Sequence, residues 1–424
     1  MEKKVFDVAI IGCGSRGRDA YGKLFKKNPY RWNVVSICDT NEKNLNNAMN
    51  LFGMEKSDCF LDEDVFFKTK RGDLLVIATQ DKDHVRMAKK GLLLGYDILL
   101  EKPISKDRVE LEDLLTLQKE TDKKIFVCHV LRYAPAFVKI KEIINSGKLG
   151  RIMSVNSMEQ VGFAHFSHSY VRGNWRNEDE SSPVIMAKSC HDLDLLQDYI
   201  GAKCKTAYSV GAIKFFDKKN KPDGASDRCK DCKYIYSCPY SAENIYVKRW
   251  REDCPIDRWP FNVVCKDIPI TEDKLRLAYE NNQYGRCVFA CDNNVCDTQD
   301  SVFEFENGVV ASFNLTGVAD KAGRKICVYG SLGYVDYDET NGILKVGVYG
   351  EKISLIKEED LLKNLSEDSF GHGGGDFMMI DDLYNVLSGK DNSRTSLEKS
   401  IESHLMAIAA EESRKTGKVI NVHE

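Results

Sequence analysis

Ile10-Ile11-Gly12-Cys13-Gly14-Ser15-Arg16-Gly17-Arg18 carries the plainest mark of this chain's architecture. An apolar run empties into a glycine turn, and the polar residues after it can open a helix. Gly12 permits the tight turn. Gly14 lets the backbone approach a pyrophosphate, whose charge meets the N–H groups of the following helix. Cys13, Ser15, Arg16 and Gly17 complete the loop. Alone, this string is weak evidence for a dinucleotide site; its surroundings strengthen it. Asp39 ends the second apolar run, 22 positions past Gly17, near the spacing of about 20 for the acidic residue that binds the ribose 2′-hydroxyl. A carboxylate there repels a 2′-phosphate, which favours NAD over NADP.

Outward from that loop, residues 1–128 alternate apolar runs (5–11, 34–38, 74–78, 97–100 and 125–128) with helical patterns such as 85–94 and 109–117. This alternation predicts an α/β fold beginning with a doubly wound parallel sheet, an NAD-binding Rossmann domain. After His129 the texture changes. Alternating runs at 152–158, 301–306, 309–315, 326–330 and 343–348 predict a second α/β domain over 129–424. Its sheet should be open and mostly antiparallel, with one face solvated or covered by a subunit. A helix is expected over 185–200, an irregular cysteine-rich insert over about 204–296, and a last helix over 397–416 stopped by Gly417.

A chain of 424 residues is too long for one typical core, which agrees with two domains. The net charge of −4 gives no reason to expect nucleic acid. No run approaches the roughly 18 apolar residues of a membrane span. The N-terminus enters a strand at once, without a signal region, so a cytoplasmic protein is expected. Fifteen cysteines then read as thiols or metal ligands, not as a disulfide framework.

Glu101-Lys102-Pro103 closes the apolar strand 96–100. That position puts a lysine ammonium at the carboxyl edge of the parallel sheet, where nicotinamide lies. Lys102 would hold a substrate hydroxyl and favour its alkoxide-like form as hydride leaves. A base is then needed. In the expected helix, Lys188, His191, Asp192 and Leu195 follow i, i+3, i+4, i+7 spacing on one face. A neutral His191 imidazole can take the hydroxyl proton, and a nearby ammonium keeps it neutral. Thr79 and His84 belong to a loop expected to line the cofactor cleft, although His84 also reads as a cap of the next helix.

Other segments look like pocket lining. His129, Arg132 and Tyr133 leave the last Rossmann strand at the cleft. His165, His168, Arg172, Trp175 and Arg176 mix rings and cations in a glycine-broken loop. Such a mixture suits a polyhydroxylated or anionic substrate, or a subunit interface. Gly371-His372-Gly373-Gly374-Gly375-Asp376 suggests backbone close to a ligand, with His372 and Asp376 available to it. Cys229, Cys232 and Cys238 form C-x2-C-x5-C, a chelating pattern for structural zinc. Cys287, Cys254, Cys265 and Cys291 all qualify by type as a fourth ligand, Cys287 first among them. An iron–sulfur cluster also fits the residue types, but the spacing is not a ferredoxin run.

Taken together, GCGSRGR, IATQDKDH, LLEKPIS and the helix ending HDLD resemble, in their order, the Gfo/Idh/MocA oxidoreductases over nearly the whole chain. The resemblance implies a Rossmann domain and a C-terminal α/β domain whose sheet makes homodimer or homotetramer contacts. It also implies NAD(P)-dependent work on sugars, cyclitols and their derivatives. It assigns Lys102 as the catalytic lysine and His191 as the catalytic histidine, with Glu101 and Lys102 beside the cofactor. Many members carry an aspartate four residues before that histidine; here the position is Ala187, with Lys188 next to it as a candidate partner. The chain looks like a subgroup with Lys-x-x-His, RGNWR, the cysteine insert, YGRCV and GHGGGD. The expected function is NAD-dependent oxidation of a secondary hydroxyl of a sugar, cyclitol or glycoside. The alternative is a glycosidase that retains NAD through an oxidation–elimination–reduction cycle, with His129, His165 and His168 supplying the second acid/base pair.

Overall fold

Six strands of the computed structural model form a wholly parallel sheet: β1 (Phe6–Ile11), β2 (Trp32–Cys38), β3 (Cys59–Phe60), β4 (Leu74–Ile77), β5 (Asp97–Leu100) and β6 (Ile125–Val127). Residues 4–253, 257–363, 365, 371–390 and 392–424 are described. The strand order β3-β2-β1-β4-β5-β6 reverses between β1 and β4, which opens a crevice at the carboxyl ends of those two strands. Val8, Ala9, Ile10 and Leu74 to Ile77 are completely or almost completely buried. Both faces of this sheet are covered, which is why its strands read as continuous apolar runs.

The second sheet has nine strands: β7 (Ile152–Gly162), β8 (Cys204–Ala212), β9 (Thr298–Phe305), β10 (Val310–Ala319), β11 (Gly323–Gly330), β12 (Gly333–Asp338), β13 (Ile343–Val348), β14 (Ser354–Lys357) and β15 (Ile420–Asn421). Their order is β14-β13-β12-β11-β7-β10-β9-β8-β15. β7 and β10 run parallel; the other neighbouring pairs are antiparallel. The expected α/β class, parallel first sheet and mostly antiparallel second sheet are present.

Two expectations change, and one helix is new. β8 is a strand of the sheet, so the irregular insert begins after Ala212 and not at 204. Its inward Ser209 meets Ser301 Oγ at 2.8 Å and Gln299 Nε2 at 3.1 Å, and such polar inward positions hide the alternation from an apolar reading. The single helix expected over 185–200 is two, Val184–Ala187 and Cys190–Ile200, with Lys188 and Ser189 between them. Helix Gly375–Leu387, far along the C-terminal half, packs on the first sheet: its Met379, Ile380, Leu383 and Tyr384 share a core with Phe6 and Trp32. The insert has a core of its own around Tyr246, Phe261, Leu275 and Tyr279. Among the described residues no helix is long and apolar enough to cross a membrane, and the fourteen described cysteines are unpaired.

Candidate functional site

The glycines at 12, 14 and 17 keep the complete G-x-G-x-x-G spacing, and each has a different reason to lack a side chain. Gly12 has φ +91°, and a Cβ there would meet Ala78 O at 2.4 Å. A Cβ on Gly17 would sit 2.0 Å from Gly12 O, so this glycine seats the first helix against β1. A Cβ on Gly14 would meet nothing within 4 Å. That open space, at the N-terminus of the helix beginning with Ser15, fits a pyrophosphate. Asp39 braces the loop: Oδ2 accepts from Cys13 N at 2.7 Å and Oδ1 from Asn41 N at 2.7 Å. Cys13 is a packing residue, its thiol buried and pushed up in pKa by desolvation. These residues fit a dinucleotide along the crevice.

Glu101 to Ile104 is held from every side. Lys102 N donates to Glu101 Oε2 at 3.0 Å. His84 Nδ1 lies 2.6 Å from Pro103 O, and its Nε2 lies 3.3 Å from Thr79 O. His404, in the last long helix, takes Ile104 N on Nε2 at 2.9 Å. The Lys102–Pro103 peptide is cis. Arg16 reaches across from the glycine loop to Glu101 Oε1 at 2.6 Å and to Asp376 Oδ1 at 2.7 Å, and Tyr21 Oη donates to Glu101 at 2.5 Å. Beside Arg16, the carboxyls of Glu101 and Asp376 stay below the usual carboxylate range despite their burial.

Lys102 Nζ donates to Ala187 O at 2.9 Å, at the end of the short helix that precedes His191. Burial, first, and then the charge of Lys102 push the His191 imidazole well below its ordinary pKa. His191 is therefore neutral at neutral pH, and its Nδ1 has no partner among the described residues. Its ring lies 5.8 Å from that of His129 and 6.2 Å from that of His372. His372, at φ +50°, donates from or accepts at Nδ1 against Asp376 Oδ2, 2.9 Å away. The glycines around it allow this approach; a Cβ on Gly371 would strike Asp376 Oδ2 at 2.4 Å. His165, half-buried, is depressed by burial and then by Lys188, with Lys102 and His372 also contributing.

Several expected site residues do other work. Lys188 is not on one helix face with His191, because the helix breaks between them; its Nζ pairs with Glu159 at 3.2 Å. Glu159 and Asp192 both engage the buried Arg324. His84 is a brace with both ring nitrogens against carbonyls. His129 is fully enclosed between His191 and His404, out of a substrate's reach. Arg132 clamps Asp194 at 2.6 and 2.8 Å and Asp198 at 3.0 Å, and Tyr133 Oη meets Thr395 Oγ1 at 3.1 Å. His168 stacks on Tyr284 at 4.7 Å and faces Tyr246 Oη at 3.1 Å inside the insert's core. Arg172 is wholly buried against the insert, and Arg176 pairs with Asp292 at 2.9 Å. Trp175 Nε1 donates to Asp81 at 3.0 Å, tying its loop to the end of the cofactor loop at 79–84. Cys229, Cys232, Cys238 and Cys287 line one cavity, whereas Cys265 lies elsewhere in the insert and Cys254 lies outside the described residues.

Some residues at the site gave no readable sequence signal. His404 and Tyr21 act on the Glu101–Ile104 turn from distant positions. The insert also reaches the Asp39 side of the crevice. Lys266 Nζ donates to Asn44 Oδ1 at 3.0 Å, Asn262 Nδ2 to Asp19 at 2.9 Å, and Asn44 Nδ2 to Asp39 at 3.3 Å.

A family model described as "oxidoreductase family, NAD-binding Rossmann fold" matches residues 6–129, and one described as "oxidoreductase family, C-terminal alpha/beta domain" matches residues 141–422. YteT of Bacillus subtilis, a protein named as an oxidoreductase, is 21% identical over 402 residues, 92% of this chain and 90% of that protein. The inositol 2-dehydrogenase/D-chiro-inositol 3-dehydrogenase of Lactiplantibacillus plantarum is 22% identical over 195 residues, 46% of this chain and 52% of that protein. Among solved structures, levoglucosan dehydrogenase in complex with NADH and levoglucosan matches with a TM-score of 0.72 at 16% identity, covering 99% of this chain and 100% of that one. That last likeness bears on the fold.

Proposed function

Because the chain belongs to the Gfo/Idh/MocA oxidoreductase family, we propose that it is a dehydrogenase oxidising a secondary hydroxyl of a sugar, cyclitol or glycoside. One observation carries the reading. The Lys102 amine, at the end of β5, donates to Ala187 O just ahead of the His191 helix, and its charge helps to depress the His191 imidazole. Lys102 holds the hydroxyl oxygen through its remaining N–H donors. Neutral His191 takes the hydroxyl proton, and Lys102 and burial keep it free of a proton beforehand. His372, oriented by Asp376, stands 6.2 Å from His191 as a second hydrogen-bonding imidazole for a polyol. NAD, bound along Gly12–Gly17 and Asp39, accepts the hydride when present. Asp39 argues for NAD over NADP.

The names of matched relatives support this substrate class: one is an inositol dehydrogenase and one a levoglucosan dehydrogenase. They lend no support to the redox-cycling glycosidase. A homodimer or homotetramer would cover the outer face of the nine-stranded sheet, where Tyr208, Val210, Val302 and Tyr329 are exposed. The unpaired thiols suit a reducing cytoplasm.

The test is a panel of free sugars, cyclitols and chromogenic glycosides offered with NAD. Stoichiometric NADH with at least one member is expected. Aglycone release without NADH would reinstate the glycosidase cycle, and no turnover of any member would contradict the substrate class.

A further inference from the structure

The insert holds a polar assembly that the proposed oxidation does not use. Cys229, Cys232, Cys238 and Cys287 line one cavity of about 360 Å³, with Arg172 in its wall and Ile235, Val288 and Phe289 among its apolar lining. Three of the four sulfurs face backbone N–H groups. Ala242 N donates to Cys229 Sγ at 3.4 Å. Burial pushes the Cys238 and Cys287 thiols up, and the backbone N–H groups of Tyr240 and Phe289 oppose that rise.

Arg172 is the second, independent observation. It is 0% exposed. Its Nη2 donates to Cys229 Sγ at 3.7 Å and to Tyr240 O at 2.7 Å, and its Nε donates to Arg286 O at 2.6 Å. Its Nη1 has no partner among the described residues. A guanidinium stays charged, and burying one without an anion costs several kcal/mol. The partners of Arg172 are two carbonyls and a sulfur, none of them a carboxylate. An anionic group held in the cavity would supply the compensating charge.

We infer that Cys229, Cys232, Cys238 and Cys287 bind a thiolate-ligated metal centre, with Arg172 as its buried counter-cation. Each thiol gives its proton to solvent as the metal binds. Four thiolates around a divalent ion leave a net charge of about −2, part of which Arg172 cancels. The geometry favours an iron–sulfur cluster over a single zinc. Tetrahedral Zn–S bonds of about 2.3 Å require sulfurs roughly 3.8 Å apart. Among the described residues no group of three or more His, Cys, Asp or Glu side chains stands at the separation a metal ion needs. The four cysteines line one cavity of about 360 Å³, room for a cluster and more than a single ion needs. Cys291 does not line this cavity, and its sulfur donates to Cys287 O at 3.2 Å. The centre staples residues 229–240 and 287–289 to the segment that carries Arg172, and so fixes the insert that reaches the cofactor edge.

The test uses full-length protein purified anaerobically without chelators, assayed for iron, acid-labile sulfide and zinc. About four irons with about four sulfides per chain identify the cluster, and about one zinc identifies a mononuclear site with the same ligands. Less than about 0.2 equivalents of either metal, both as isolated and after anaerobic reconstitution, overturns the inference. Cys232→Ser should lower the metal content at least about five-fold, while Cys327→Ser, on β11, leaves it unchanged. Equal contents in both variants would discard the ligand set. Should Cys232→Ser fail to fold, Arg172→Lys decides: extraction by a chelator should quicken at least about ten-fold, and an unchanged rate would remove Arg172 from the centre.

Discussion

Lys102 and Arg172 are two cations buried to different depths, and the molecule surrounds them differently. Lys102 is half-buried at the carboxyl edge of the first sheet and spends one hydrogen bond on Ala187 O. Its backbone is braced by Glu101, His84 and His404, so the ammonium is positioned by groups that leave its other donors open. Arg172 is enclosed, and its own head group is the anchoring point. A cation whose backbone is held and whose head is open can serve a substrate. One whose head is enclosed serves the architecture.

Arg172→Leu should break the second half of that contrast with the largest effect. It strands the carbonyls of Arg286 and Tyr240 at about 1–3 kcal/mol each, so urea unfolding should show a loss of roughly 3 kcal/mol or more. A loss below about 0.5 kcal/mol would mean that the enclosure is not structural. His191→Asn sharpens the first half: kcat should fall about 10²- to 10⁴-fold while NAD affinity holds, read by steady-state kinetics and titration.

Acid should act on the buried histidines of both regions together. His129, His165 and His191 are held well below their ordinary pKa chiefly by burial, and His168 and His404 are pushed down to about 3. The unfolded chain takes protons on these rings near pH 6.5, whereas the folded chain refuses them. Stability is therefore present above about pH 6.5 and falls as pH drops toward 3, by about 1.4 kcal/mol per pH unit for each ring that stays neutral. Denaturant midpoints that are flat from pH 7 to 5 would refute this. In the same way the acid limb of kcat/KM should lie well below pH 6.5. The smallest expected change is at the insert's contact with the cofactor edge. Lys266→Ala should weaken NAD binding about two- to five-fold, the size of one partly screened contact.

The parallel sheet was legible because strands buried on both faces are written as unbroken apolar runs, and Lys102 was legible because a strand end is a position the pattern marks. What escaped is set by partners far away in the chain. Arg132 looks like a substrate fork until Asp194 and Asp198 are seen to occupy it. His168 looks like a pocket imidazole until Tyr284 and Tyr246 enclose it. His404 carries no local mark, since its task is to accept one N–H from Ile104, 300 positions earlier. The helix break at Lys188 and Ser189 was hidden by continuous apolar periodicity on both sides. Charge and ring content announce that a segment is polar; only packing says which groups are left over for a ligand.

Lys102→Met tests the central claim most directly, with turnover and NAD affinity measured on the same protein. The account predicts that kcat/KM falls at least about 10²-fold while the Kd for NAD stays within about three-fold. Retained turnover, or loss of NAD binding in step with activity, would contradict it.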